Sequence, residues 1–125
     1  MAGLLDGLHI LVLEDEYLIA MDVEQLCRDD GAAGVVIARS LADAEAAASA
    51  SRFDAAILDL MLGKASTLPF ASKLRERGVP FVFASGYTEL NEVAASFPAV
   101  KVVSKPYAGD DLLQAVVQAR RSLEV

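Results

Sequence analysis

Five side chains in this sequence could do chemistry together: Glu14, Asp15, Asp59, Ser85 and Lys105. Each stands at or just beyond the end of a short apolar run, those runs being His9 to Leu13, Asp54 to Leu60, Pro80 to Ala84 and Val100 to Val103. Three carboxylates gathered at one place repel one another. A divalent cation relieves that repulsion, and hard oxygen donors with no His or Cys select Mg²⁺ over zinc. A carboxylate can also act as a covalent nucleophile toward a phosphoryl group, forming an aspartyl phosphate. The phosphoryl oxygens then need positive charge and hydrogen-bond donors. Lys105 is a candidate for the first and the Ser85 hydroxyl for the second. Singly, these residues say less. An acidic strand end is commonly a solvated turn, Glu14-Asp15-Glu16 suits the positive end of a helix, and Ser85-Gly86 is a turn pair. The chemistry depends on their meeting at one edge.

The elements that would bring them there alternate along the chain. His9 to Leu13 (HILVL) is apolar on both faces, as a buried parallel strand is. Ile19, Val23, Leu26 and Cys27 then recur at helical spacing, and Gly31 closes that helix. Val35 to Ile37 is a second strand. Ser40-Leu-Ala-Asp43 reads as a capping box opening an Ala-rich helix to about Ala50. Asp54 to Leu60 is the third strand, followed by a loop holding Gly63 and a helix over Pro69 to Arg77 that ends at Gly78. Pro80 to Ala84 is the fourth strand, Thr88 to Ser96 a short fourth helix, and Val100 to Val103 the fifth strand. A fifth helix begins near Asp110 and carries Leu112, Val116, Ala119 and Leu123 on one face.

The pattern is (βα)₅, which predicts a doubly wound parallel sheet of the flavodoxin-like type with strand order 2-1-3-4-5 and helices on both faces. The site of such a sheet lies beyond the strand C-termini, where strands one and three diverge. Glu14, Asp15 and Asp59 are predicted to fall there. His9 starts strand one at the far end, and Cys27 falls on an apolar stripe, so both read as structural. Phe81 and Phe83 alternate with Val82 and read as core.

Composition bounds the alternatives. The chain has 125 residues, 54% of them hydrophobic, enough for one domain with its own core. One cysteine and one histidine exclude an internal disulfide and a histidine-built metal site. A net charge of −7 argues against direct nucleic-acid binding. No apolar run is long enough to span a bilayer and the start lacks a signal-peptide pattern, so no membrane contact and a cytoplasmic location are expected. No linker or repeat divides residues 1–125, and a single domain without an output domain is the expectation.

The stretches LEDE (Leu13 to Glu16), LDL around Asp59, FASG (Phe83 to Gly86) and SKP (Ser104 to Pro106) resemble the four signature regions of bacterial response-regulator receiver domains. The likeness covers essentially the whole chain, in order. The segment through PFVFASGY resembles a subgroup with a PFxFATGY-like fourth strand, often found as stand-alone receivers. The resemblance implies that Asp59 is the phosphoacceptor. It implies that Mg²⁺ is held by Glu14, Asp15, Asp59 and the Met61 backbone carbonyl. Ser85 would be the switch hydroxyl and Lys105 the phosphate-sensing cation. Val102 departs from the pattern, standing where many receivers carry an aromatic switch residue; Tyr87 and Tyr107 are the candidate substitutes. The loop MLGKAST after Asp59 departs as well.

The function so implied is phosphorelay signal transduction. A histidine kinase or histidine phosphotransfer protein would donate to Asp59, and the fourth and fifth helices would repack to change affinity for a downstream protein. That helix face is also where a homodimer would form. The chain would be no enzyme beyond its own phosphorylation and dephosphorylation. One alternative is a pseudo-receiver, a protein-binding module that is never phosphorylated; another is a phosphate sink. A phosphohydrolase with an aspartyl-phosphate intermediate ordinarily needs an acid two residues beyond the nucleophile, where Met61 stands. Met61 and Tyr87 each lie two residues beyond a key position, and their bulk predicts slow self-hydrolysis.

Overall fold

The computed structural model describes residues 3–85, 102–104 and 109–124, with Ser85 and a few other element-end residues described by backbone alone. In chain order the elements are β1 (His9–Leu13), α1 (Tyr17–Asp29), β2 (Gly34–Ala38), α2 (Leu41–Ala50), β3 (Ala55–Asp59), β4 (Met61–Leu62), β5 (Ala65–Ser66), α3 (Leu68–Glu76), β6 (Phe81–Ser85), β7 (Val102–Ser104) and α4 (Gly109–Glu124), the C-terminal helix.

After His9, every residue of β1 is buried, so the strand has no face to give to water. It lies at the centre of the sheet, parallel to β2 on one side and β3 on the other. Parallel pairing continues from β3 to β6 and from β6 to β7, giving the order β2-β1-β3-β6-β7. This is the expected doubly wound order, with β6 and β7 as the fourth and fifth strands of the repeat.

Side-chain alternation sorts the strands into two cores. Leu11, Leu13, Ala56, Leu58, Phe81 and Phe83 face one way, against Ala44 of α2 and Phe70, Ala71 and Leu74 of α3. Ile10, Val12, Ala55, Ile57, Val82 and Ala84 face the other way, against Val23 and Cys27 of α1 and Leu112, Leu113, Ala115 and Val116 of α4. The Phe81 and Phe83 rings meet edge to face at 5.5 Å, a geometry that adds to their burial. Each of the larger aliphatic and aromatic side chains buried there contributes roughly 1.5–3 kcal/mol, which holds the strand ends in fixed register.

The helix ends follow from local chemistry. Ser40 caps α2, its Oγ accepting from the Asp43 amide at 3.1 Å, the backbone half of the predicted capping box. Helix α1 ends in a Schellman pair: Gly31 donates to the Arg28 carbonyl and Ala32 to that of Cys27, both at 3.1 Å. Gly31 sits at φ 101°, which a side chain would oppose. Helix α3 ends the same way through Gly78 and Val79. The predicted fourth helix, Thr88 to Ser96, lies outside the described residues.

The segment expected as a loop after Asp59 is an antiparallel hairpin. Met61 faces Ser66 and Leu62 faces Ala65 around Gly63-Lys64. Gly63 has φ 62°, and no non-glycine residue among those described has positive φ, so the turn has the sign pattern of type II′. Two-residue strands are too short to show a period, which is why the sequence reads as a loop there.

Candidate functional site

The site is built at the C-terminal edge of β1 and β3. β1 continues one residue past its last paired position, because the Glu14 amide donates to the Ala38 carbonyl of β2 at 3.1 Å. That holds the Glu14 side chain inside the protein, with 3% of it exposed. Its Oε2 accepts the Glu16 amide at 3.3 Å, tying the carboxylate to the start of α1. Asp15, half-buried, follows at the strand-to-helix turn. Its backbone carbonyl accepts from the Arg39 guanidinium at 3.1 Å, and its side-chain Oδ2 accepts from the Gly63 amide at 2.8 Å. Arg39 also stands 6.0 Å from the centre of the Tyr17 ring.

Asp59 is the last residue of β3, in register with Ala84 of β6, and is half-buried. The Thr67 hydroxyl donates to the Asp59 carbonyl at 2.6 Å and to the Leu60 carbonyl at 3.1 Å. The Thr67 amide also donates to Leu60, at 2.9 Å. Thr67 is wholly buried. It occupies the N-cap position of α3 yet makes no side-chain cap bond; the hydroxyl is turned back onto the strand end.

These elements bring three carboxylates together. Glu14, Asp15 and Asp59 each offer an oxygen, and the three oxygens lie within 4.8 Å of one another. At that separation ionised carboxylates repel one another. The arrangement therefore favours a compact positive charge. The donor set fits Mg²⁺: all hard oxygens, two of them only half-buried so that water can complete an octahedron, with no thiolate or imidazole in the cluster. The cluster can then present a carboxylate oxygen to an electrophile while the cation offsets its charge.

Of the residues singled out by sequence, Glu14, Asp15 and Asp59 are thus placed at one edge, and Met61 opens β4 two residues beyond Asp59. Ser85 ends β6 at that edge, its backbone in register with Ser104 of β7; its side chain, together with Lys105, Tyr87 and Tyr107, lies outside the described residues. His9 stands at the opposite end of β1, where its amide donates to Asp54 Oδ2 at 2.8 Å. Cys27 is buried in the core, and burial aided by the nearby Asp30 charge pushes its thiol up to about 11. Three contributors were not visible from sequence reasoning: Gly63 as an amide donor, Thr67 as a backbone clamp and Arg39. The only signals were a Gly-X pair suited to a two-residue turn and a threonine ahead of Leu68-Pro69, which reads as a helix cap.

Among the described residues, no helix is long and apolar enough to cross a membrane. No curated protein gives a significant match. Solved structures do. A response regulator receiver protein from Sinorhizobium medicae WSM419 superposes with a TM-score of 0.83 at 27% identity, covering 95% of this chain and 98% of its own. A response regulator receiver domain protein from Clostridium thermocellum gives a TM-score of 0.80 at 21% identity over 94% and 97%. NtrX from Brucella abortus gives 0.83 at 22% identity over 94% of this chain but 28% of its own, so there the same fold is one part of a longer chain. Residues 10–117 match the response regulator receiver domain family. That match covers the receiver family as a whole and does not single out the PFxFATGY-like subgroup. With the parallel sheet, the acidic edge and the family signature in agreement, the chain belongs to the response regulator receiver domain family.

Proposed function

We propose that this receiver accepts a phosphoryl group on Asp59, with Mg²⁺ held by Glu14, Asp15, Asp59 and the Met61 carbonyl. The observation that carries the reading is the meeting of three carboxylate oxygens within 4.8 Å at the C-terminal edge of β1 and β3. Membership of the family places the chain in two-component signalling, where receivers are signalling modules rather than enzymes acting on external substrates.

The hairpin supports the Met61 assignment. A two-residue turn makes Leu62–Ala65 the hydrogen-bonded pair, so Met61–Ser66 is the non-bonded pair whose backbone groups point away from the partner strand. The Met61 carbonyl is then not used up by the ladder. When bound, Mg²⁺ supplies charge neutralisation on the phosphoryl oxygens and aligns the donor. An Asp59 carboxylate oxygen attacks phosphorus and a P–O bond forms. The bond from phosphorus to the donor's imidazole nitrogen breaks, and the electron pair leaves with that nitrogen. Lys105 and the Ser85 hydroxyl would hold two phosphoryl oxygens afterwards, drawing the ends of β6 and β7 toward the site. A downstream protein would read the change, and a homodimer through the fourth and fifth predicted helices is the self-association expected of it.

The donor would be a histidine kinase or phosphotransfer protein, and α1 offers it a surface. Tyr17, Leu18 and Met21 are 59%, 76% and 42% exposed and lie within one turn of each other, next to Asp15. Exposed apolar side chains grouped in this way suit a protein partner.

The rival reading is a pseudo-receiver that binds partners without phosphorylation. A calorimetric Mg²⁺ titration separates the two. Saturable binding that is lost in Asp59→Asn supports the phosphoacceptor site, whereas no heat at millimolar Mg²⁺ supports the rival.

A further inference from the structure

Three hydrogen bonds at the site come from two residues with no ligand role. The Gly63 amide donates to Asp15 Oδ2 at 2.8 Å, and the Thr67 hydroxyl donates to the Asp59 and Leu60 carbonyls at 2.6 and 3.1 Å. Both donors come from one short unit, since Thr67 directly follows β5 and Gly63 opens the β4–β5 turn. The unit is anchored at both ends. Leu62 is buried in the core that contains Leu60 and Phe70, and Thr67 is wholly buried. Ser66 Oγ accepts the Leu68 amide at 3.2 Å, joining the hairpin to α3.

This unit grips the two halves of the site separately. Gly63 holds the carboxylate that arrives from β1, and Thr67 holds the backbone that leaves β3. Asp15 is half-buried, so without the amide its side chain could swing to water and away from Glu14 and Asp59, as like charges favour. A carboxylate that accepts an N–H on Oδ2 keeps its other oxygen for a cation, already oriented. Thr67 gives up the usual cap bond of its position to hold carbonyls that lead directly into Met61.

We propose that the β4–β5 hairpin and Thr67 form a positioning device for the metal site, so that Mg²⁺ affinity is set in part by two residues that are not ligands. The proposal rests on the Mg²⁺ reading given above. The Gly63 amide reports on Asp15, and Thr67 is a positioning residue that acts through the Asp59-to-Met61 backbone.

The experiment is Mg²⁺ titration of the full chain by calorimetry and by NMR, on wild type, Thr67→Val and Thr67→Ser, with thermal unfolding of each in EDTA. Thr67→Val is expected to weaken Mg²⁺ binding about tenfold, as loss of an orienting partner around a metal does. Thr67→Ser, which keeps the hydroxyl, should stay within about twofold of wild type on the same ground. In wild type the Gly63 amide resonance should move along the Mg²⁺ binding curve. A folded Thr67→Val that binds Mg²⁺ like wild type overturns the proposal, because a threonine with only a packing role would lower the unfolding temperature and leave affinity alone. Should Thr67→Val not fold, the wild-type Gly63 resonance decides: no movement at saturating Mg²⁺ overturns the device while the metal site stands. Wild type that binds no Mg²⁺ removes the site reading and the device with it.

Discussion

The Gly63 amide and the Asp15 carboxylate, 48 residues apart in the chain, meet at 2.8 Å. One end of the contact lies beyond β1 and the other in the turn beyond β3, so the edge where the two strands part is closed by a backbone donor. It leaves three acidic side chains fixed near each other, and the consequences of that fixed charge can be measured.

In EDTA the cluster should cost stability. Asp59→Asn removes one of three crowded charges and is expected to raise stability by about 1 kcal/mol, or roughly 4 °C for a domain of this size. Mg²⁺ at a hundred times its Kd should stabilise wild type by about 2.7 kcal/mol through mass action, and the Asn variant by far less. Calorimetric unfolding with and without Mg²⁺ checks both; a wild-type midpoint indifferent to Mg²⁺ goes against the reading.

The α1 surface should matter to a protein donor and not to a small one. Leu18 is 76% exposed, so Leu18→Glu should leave folding unchanged. Phosphoryl transfer from a histidine-phosphorylated protein is expected to slow by roughly tenfold or more, a loss of about 1.4 kcal/mol of docking. Transfer from a small phosphodonor should be unaltered. Equal slowing with both donors would place the effect in the site rather than on the surface.

The lifetime of the phosphorylated form tests the residues flanking the attack path. Met61→Asn combined with Tyr87→Glu should speed dephosphorylation several-fold, because both changes replace bulk with groups able to orient water. Decay followed by intact mass gives the answer, and unchanged decay refutes the role.

Cys27 predicts a pH dependence at the alkaline end. Its thiol titrates near 11 in the folded protein against 9.0 unfolded, because burial opposes the thiolate. The folded state therefore holds its proton longer, and stability falls as pH rises from about 9 to about 11, by at most about 2–3 kcal/mol. Cys27→Ala should flatten that part of the curve in denaturant titrations at several pH values. A slope unchanged by the substitution would assign it to other groups.

What the sequence made legible was what periodicity and composition encode. The all-apolar HILVL run marked the central strand, and alternation such as Phe81-Val82-Phe83 marked the two cores. The turn from Leu13 into Glu14-Asp15 and the end of β3 at Asp59 placed the carboxylates on one edge. The hairpin was hidden because Met61-Leu62 and Ala65-Ser66 are too short for a strand pattern. Thr67 was hidden differently: a threonine before Leu68-Pro69 reads as a cap, and only the folded chain turns its hydroxyl toward Asp59 and Leu60. Arg39, an exposed arginine after a strand, gave no sign that it would hold the Asp15 carbonyl.

Phosphoryl acceptance at Asp59 is the step on which the proposed function stands. Its most direct test is intact-protein mass after incubation with a small phosphodonor and Mg²⁺, beside a metal-free sample and Asp59→Asn. A gain of one phosphoryl group is expected in the first sample and in neither control. A gain that persists in Asp59→Asn, or that needs no divalent cation, would contradict it.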